Sequence, residues 1–215
     1  DDSYFFNKVK YSNVQFKEST LGSTLHKFPC IDLSSSVEAF IKVPHDKKYN
    51  FSTTQDFSIS FYLTPRATGS DGDMSSTEKR YIIAKSTTKN AITPSPTGST
   101  TIETSAGPQF PFEIYMQSQS LYFARSDGNT TNIVSGEITA SGGTCKKTSH
   151  IYCQVTSSTM ELWFDGTKIA SSEIALSGST RNNANLYIGT KGNVSYADSS
   201  STLIKHFNGD ISNIN

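Results

Sequence analysis

The sequence has little cysteine and therefore no basis for a disulfide framework. Only three of its 215 residues are cysteines, Cys30, Cys145 and Cys153, which is too few and too odd a number for such a framework. Cys145 and Cys153 could pair across a hairpin, but disulfide geometry is demanding. The alternative, buried thiols that act as small apolar side chains, is favoured.

The sequence also has no excess of charge and no long apolar run. It carries 19 basic and 19 acidic residues, without a dense basic segment, which disfavours nucleic-acid binding through phosphate neutralisation. No stretch has membrane-spanning length and no signal peptide is recognisable, so no membrane insertion is expected. Because the chain begins without Met and stops inside a predicted strand, we expect it to be a segment of a longer protein.

What the sequence does contain is typical of strands joined by polar loops. Only 34% of the residues are hydrophobic, yet 13 are phenylalanine and 10 are tyrosine. Serine and threonine are abundant. Regularly recurring aromatic and β-branched residues argue against disorder, and this length fits one large all-β domain.

The strongest pattern covers residues 149–172. Apolar and polar residues alternate in 151–155 and again in 160–164. Ser157-Ser158-Thr159 separates the two runs, and Asp165-Gly166 follows the second. An Asp-Gly pair between alternating strands predicts a hairpin, because both central residues of a type I′ turn need positive φ. The pattern therefore predicts three consecutive antiparallel strands.

Similar but shorter patterns recur along the rest of the chain. They predict further strands at 9–16, 39–43, 56–63, 81–85, 112–117, 121–125, 131–134, 184–189 and 205–215. No segment has a helical period, so we predict an all-β, two-sheet antiparallel β-sandwich of the jelly-roll type. Its predicted core contains Leu162, Phe164, Val155, Ile59, Phe61, Ile188 and Ile211. Residues 66–79 and 87–109 have few apolar anchors and are predicted to be exposed or variable.

Five segments resemble a known family when they are taken in order: DFSISFYL, RYIIAK, PFEIYMQSQSLYFAR, HIYCQVTSSTMELWFDGTKIA, and LYIG followed by HFNGDISNI. They resemble laminin-G-like modules of the concanavalin A-like lectin and glucanase superfold. The family often has a tryptophan-histidine pair where this chain has His150-Ile151, so Ile151 is expected to replace the tryptophan in the core. The resemblance implies a laminin-G-like jelly-roll domain at 26–215, preceded by an N-terminal arm and opening strand at 1–25.

The opening stretch DDSYFFNKVKYSNVQF is similar to the first strand of such modules in bacteriophage tail and other virion proteins. Family functions range over sugar binding, protein binding and structural roles, so the fold does not settle the function.

An enzymatic role finds little support in the residues. Glucanases of this superfold carry paired carboxylates on one strand, as Glu-x-Asp-x-x-Glu or Glu-x-Asp-x-Glu, and no such run occurs. Glu113 and Glu161 are single acids that we expect to face solvent. The four histidines are scattered, so we predict that the chain is not an enzyme.

Calcium is the one cofactor left open. Asp71-Gly72-Asp73, and more weakly Asp127-Gly128-Asn129, could offer hard oxygen ligands at a sandwich rim, as in several family members. The same residues are common in turns for backbone reasons alone.

A sugar site would need an exposed aromatic ring and nearby polar groups. Trp163 alternates with the core residues of its strand and should face outward, or lie under a loop. Tyr152, Tyr62, Tyr115 and Tyr122 share its parity and could form an aromatic row with it; alternatively, loops cover these rings and make a second small core. Tyr196, Asp127 and Asn129 are further candidates for ligand binding.

These features predict a non-enzymatic structural or adhesion module of a virion, in a phage tail, fibre or capsid decoration. Its expected partners are neighbouring virion or tail proteins in a larger assembly, contacted through the arm Asp1 to Phe6, and cell-surface glycan. Its expected location is virion or extracellular. The alternative is an extracellular lectin-like carbohydrate-binding module, and a glycan hydrolase of the same fold is less favoured.

Overall fold

The computed structural model describes residues 9–21, 26–34, 39–66, 79–86, 109–138, 148–192 and 206–215, with backbone only at 18–21 and 26–28. Several predictions lie outside these residues: the arm Asp1 to Phe6, Asp71 and Asp73, Cys145, and Tyr196. The segments 66–79 and 87–109 lie almost entirely outside them as well.

The described chain forms fourteen strands. They are β1 (Lys10–Ser12), β2 (Gln15–Leu21), β3 (His26–Leu33), β4 (Phe40–Val43), β5 (Phe57–Pro65), β6 (Arg80–Ala84), β7 (Gln109–Gln117), β8 (Ser120–Asp127), β9 (Thr131–Glu137), β10 (Ser149–Thr156), β11 (Thr159–Phe164), β12 (Thr167–Glu173), β13 (Leu186–Ile188) and β14 (Gly209–Ser212). The described residues contain a single 3-10 turn at Lys47–Tyr49. Among them, no helix is long and apolar enough to cross a membrane.

The strands form two antiparallel sheets of seven strands each. The first sheet has the order β1-β4-β13-β6-β7-β8-β9, and the second has the order β12-β11-β10-β5-β14-β3-β2. The predicted all-β, two-sheet antiparallel sandwich is thereby confirmed. Because successive side chains of a strand face opposite surfaces, each sheet has one inner surface in the core and one outer surface.

One apolar core fills the space between the sheets. Six of the seven predicted core residues are buried there, and Phe164 is half-buried against them. Ile151 is completely buried, as the resemblance led us to expect. Cys30 and Cys153 are both buried. Cys153 is a free thiol and is therefore not paired with Cys145, and burial raises the pKa of the Cys153 thiol.

The predicted meander is present as β10, β11 and β12. Cys153 lies opposite Leu162, and Tyr152 lies opposite Trp163. The turn residues Asp165 and Gly166 have φ of 47° and 80°, the left-handed conformation that the Asp-Gly pair predicted. The register therefore sends Leu162 inward and Trp163 outward.

Strand β3 was not predicted from the sequence. It lies between β14 and β2, with Asp32 opposite Asp210 and Phe16 opposite Ile31. Its sequence, HKFPCIDL, contains Pro29, and proline within an apolar run argues against a strand in the middle of a sheet. Because proline has no backbone N–H to donate to a neighbouring strand, the sequence of β3 does not predict a strand. Only its pairing with β14 and β2 shows that it is one.

The two lateral sides of the sandwich differ. On one side β9 and β12 approach closely: a Cβ on Gly136 would lie 2.6 Å from Cδ1 of Ile169, so a larger residue there would require the Ile169 side chain to move. The Asn132 amide bridges the same gap, donating to the Glu173 carbonyl and accepting from the Ala175 N–H. On the other side, the edge strands β1 and β2 expose Tyr11 and Phe16, by 51% and 66%.

Residues 174–185, which we call the strap, cross one end of the sandwich between β12 and β13 without regular structure. Buried polar side chains hold the strap in place. Arg125 donates to the Ser52 carbonyl and to Thr180, and Lys85 donates to the Ala184 carbonyl at 2.6 Å. The amide of Asn182 donates to the carbonyls of Lys85 and Gln109.

Candidate functional site

The outer surface of the second sheet carries a group of partly exposed rings. Tyr152 and Trp163 are directly opposite each other on β10 and β11. Two residues along β10, His150 lies opposite Tyr62 of β5, with ring centroids 5.1 Å apart. We call these four residues the aromatic face. It unites two predicted ligand-binding residues, Trp163 and Tyr152.

The ring of Trp163 is held in one orientation by its neighbours. Its indole N–H donates to Oε2 of Glu161 at 3.1 Å, and Oε1 of Glu161 accepts from the Lys168 ammonium at 3.0 Å. The Lys168 ammonium also stands 5.7 Å from the centroid of the Trp163 ring. The hydrogen bond from Lys168 lowers the pKa of Glu161, which keeps the carboxylate charged as the acceptor for both donors.

Polar side chains lie between and beside the rings. Ser60 is opposite Tyr152, and the neighbouring row contains Glu161, Gln154 and Ser58 on successive strands. Ser58 is exposed, and Gln154 and Ser60 are partly exposed. The surface thus combines apolar ring faces with hydroxyl and amide groups, a combination that suits a ligand with both apolar and hydrogen-bonding surfaces.

The predicted single row of aromatic residues is wrong. Tyr115 and Tyr122 lie on the outer surface of the first sheet, where they stack with centroids 4.9 Å apart and pack with Tyr81. Phe110, Tyr115 and Ala124 form a buried cluster there, so the second small core exists on that sheet. Strand parity predicts whether a side chain faces outward, but not which sheet its strand joins.

Glu113 was expected to face solvent and does not. It is 3% exposed on the outer surface of the first sheet and forms an ion pair with Lys191. The Lys191 ammonium also lies 5.0 Å from the ring centroid of Tyr81 and 5.7 Å from that of Phe110. The alternation of β7 places Glu113 on the outer surface as predicted, but Lys191 and the neighbouring rings bury it there.

Asp127, a predicted ligand-binding residue, is buried, and its carboxylate accepts hydrogen bonds from backbone N–H groups. One oxygen accepts from the N–H groups of Asn129 and Thr130, and the other accepts from those of Ser177 and Gly178 in the strap. These bonds hold the pKa of Asp127 below its usual range, against the effect of burial. Each carboxylate oxygen thus already accepts two backbone hydrogen bonds, and calcium at this turn stays a prediction.

The other predicted residues add nothing to this geometry. Asn129 is exposed at the tip of the same turn, away from the aromatic face. Asp71, Asp73 and Tyr196 lie outside the described residues. In the part of the chain that the structure describes, no group of three or more His, Cys, Asp or Glu side chains could hold a metal ion.

A charge network on the second sheet was missed entirely. Asp32 and Asp210, opposite each other on β3 and β14, are bridged by Lys17 and by Arg66. The nitrogen–oxygen distances are 3.0 Å for Lys17–Asp32, 2.9 Å for Lys17–Asp210 and 2.8 Å for Arg66–Asp210. These residues are distant in sequence, and no local pattern links them.

Comparison with solved structures shows which folds are similar. The binding domain of Paraclostridial Mosquitocidal Protein 1 matches with a TM-score of 0.61 and 18% identity, covering 94% of this chain and 42% of that one. The binding domain of botulinum neurotoxin serotype D/C VPI 5993 matches with a TM-score of 0.61 and 18% identity, covering 96% and 42%. The ligand binding domain of botulinum neurotoxin serotype D, solved in complex with N-acetylneuraminic acid, matches with a TM-score of 0.61 and 15% identity, covering 96% and 41%.

No family model and no curated protein sequence matches the chain. At these identities the structural matches show a shared β-sandwich fold. The chain spans about two fifths of the length of the toxin binding domains that it matches.

Proposed function

We propose that this domain is a non-enzymatic binding module that recognises glycan through the aromatic face, with Trp163 and Tyr152 stacking on sugar rings. The observation that carries the proposal is the pairing of Trp163 with Tyr152, on an outer surface where the indole is already oriented by Glu161. An oriented ring loses little conformational freedom on binding, so more of the contact energy remains as affinity.

Two further observations support a binding role. The similar solved structures are binding domains of toxins, one of them in complex with N-acetylneuraminic acid. The described carboxylates that sequence inspection singled out have structural partners: Glu113 pairs with Lys191, and Glu161 pairs with Lys168. Glycoside hydrolysis needs two carboxyl groups flanking one bond, and these two lie on opposite sheets.

Binding to a glycan array tests this proposal. The parent protein should bind a defined set of glycans, and Trp163→Ala should weaken that binding by at least about tenfold, as expected for a central aromatic contact. Tyr152→Ala should weaken it similarly, whereas Trp163→Tyr, which keeps a ring, should retain part of it.

Tyr11→Ala is the matched control, because Tyr11 is an exposed tyrosine on the edge of the other sheet. It should bind as the parent does. Thermal unfolding of each variant separates a lost contact from a lost fold. No glycan binding by the parent, or equal binding by a folded Trp163→Ala variant, would contradict the proposal.

A virion-associated role of a laminin-G-like module is a second candidate. It is supported by the resemblance of the opening stretch to phage tail proteins and by the exposed pair of Tyr11 and Phe16, whose ring centroids are 5.7 Å apart on two edge strands. Exposed aromatic pairs of this kind suit a protein partner. A double Tyr11→Ser, Phe16→Ser variant should then fold normally but fail to join the particle, and normal incorporation would count against this role.

A further inference from the structure

Among the described residues on the outer surface of the second sheet, the basic side chains near the aromatic face have acidic partners. Lys168 is paired with Glu161, and Lys17 and Arg66 are each paired with Asp32 and Asp210. His150 stands against the ring of Tyr62, and its backbone N–H donates to Asp165. Among the described residues of this surface, every lysine and arginine that borders the aromatic face already has a carboxylate partner.

This pairing disfavours an acidic sugar. A sugar carboxylate on the aromatic face would have to compete with Glu161 for Lys168. If the sugar took Lys168 as its partner, Glu161 would remain beside the sugar carboxylate as a like charge. Removing a carboxylate from water without a cationic partner is costly. Sugar hydroxyl groups carry no such cost, because the hydroxyl and amide groups of Ser60, Ser58 and Gln154 can exchange hydrogen bonds with them.

The spacing of the rings favours a chain of sugars over a single one. Neighbouring strands lie about 4.8 Å apart and two residues along a strand span about 7 Å. Trp163 and Tyr152 are on neighbouring strands, and Tyr62 with His150 is one row further along β10 and β5. A ligand that contacts both groups must extend across three strands, which exceeds the reach of one pyranose ring.

We infer that the aromatic face binds an uncharged, linear oligosaccharide across β11, β10 and β5, with at least two consecutive sugar units in contact, and does not select a terminal acidic sugar. This inference rests on the proposed function. Trp163 and Tyr152 hold adjacent units, and Tyr62 with His150 holds the end of the chain nearer β5.

The first test is a printed glycan array probed before and after sialidase treatment, with a sialic-acid-specific lectin as the positive control for the treatment. The parent protein should keep or gain signal after sialic acid is removed. Signal that disappears with the sialic acid would overturn this inference while leaving glycan binding itself intact. No signal on any glycan would overturn the proposed function, and this inference with it.

The second test titrates the strongest-binding neutral glycan of the array, alongside its mono-, di- and trisaccharide fragments. Affinity should rise about tenfold from the monosaccharide to the disaccharide, since a second stacked ring buries roughly 50 Å² of apolar surface. Tyr152→Ala should abolish that rise, and Tyr62→Ala should reduce only the further gain of the trisaccharide. Equal affinity for the monosaccharide and its longer forms would overturn the inference.

Discussion

At the scale of single residues, three buried charged side chains, Arg125, Lys85 and Asp127, attach loops to strands. Arg125 donates to the Ser52 carbonyl and Lys85 to the Ala184 carbonyl, both outside the strands, and Asp127 accepts from four backbone N–H groups. Each group is buried but has several partners, which is the condition under which a buried charge is tolerated. An acidic residue in a turn can therefore be an anchor as readily as a ligand.

Asp127→Asn tests this anchor. Asparagine has nearly the same shape, but its NH2 group would face two of the four N–H donors. We therefore expect the free energy of unfolding to fall by about 1.5–3 kcal/mol, the range for hydrogen bonds to a charged group. Urea unfolding at pH 7 measures the change. Asn129→Ala, in the same turn but exposed, should change stability by less than about 0.5 kcal/mol.

The sign of the pH dependence follows from the lowered pKa of Asp127. The stabilisation is present above the pKa of the unfolded carboxyl, about 3.9, and is lost as the pH falls through the lower pKa of the folded protein. The gap between parent and Asp127→Asn should therefore close in acid. A gap that stays constant down to pH 2 would contradict the anchoring role.

At the scale of elements, local pattern predicts strands well and connections poorly. The alternation of 151–155 and 160–164 and the Asp165-Gly166 turn were sufficient to predict the meander, because side-chain period and turn conformation are local properties. The strap could not be predicted. Its hydrogen bonds join Thr180 to Phe51 and Asn182 to Asn50, partners about 130 residues away in the chain. No periodic pattern in the local sequence predicts such contacts.

The free energy that Lys85 contributes to folding, through its bond to the strap, depends on pH in the alkaline range. Its ammonium is fully buried, contacting Nδ1 of His45 at 3.0 Å and the Ala184 carbonyl at 2.6 Å. Burial lowers the pKa of Lys85 to about 8, whereas the unfolded chain retains the proton up to about 10.4. Between these values the unfolded state binds more protons, so the contribution of Lys85 to stability rises with pH.

Lys85→Met removes this contribution. The parent should gain stability relative to the variant by roughly 1 kcal/mol per pH unit between pH 8 and 9.5. Urea unfolding of both proteins at several pH values measures the difference, in which the buried thiol and phenols common to both proteins cancel. Parallel pH profiles for the two proteins would show that Lys85 titrates alike in the folded and unfolded states.

At the scale of the whole molecule, the two outer surfaces differ in how their aromatic residues are packed. The first sheet buries Tyr115 and Phe110 and pairs Glu113 with Lys191, with Tyr81 and Tyr122 half-buried beside them. On the second sheet, none of the four rings of Trp163, Tyr152, Tyr62 and His150 is buried. Sequence alternation predicted that Trp163 and Tyr152 face outward. Separating them from Tyr115 and Tyr122 required the strand order, which depends on pairings between distant segments.

The most direct test of the proposed glycan binding by the aromatic face uses the fact that Trp163 is the only tryptophan in the chain. Its fluorescence therefore reports on the proposed site alone. Titration with the strongest-binding neutral glycan should shift Trp163 emission to shorter wavelength and shield it from iodide quenching. The dissociation constant obtained in this way should equal that from calorimetry. Calorimetric binding that leaves Trp163 emission and quenching unchanged would contradict the account.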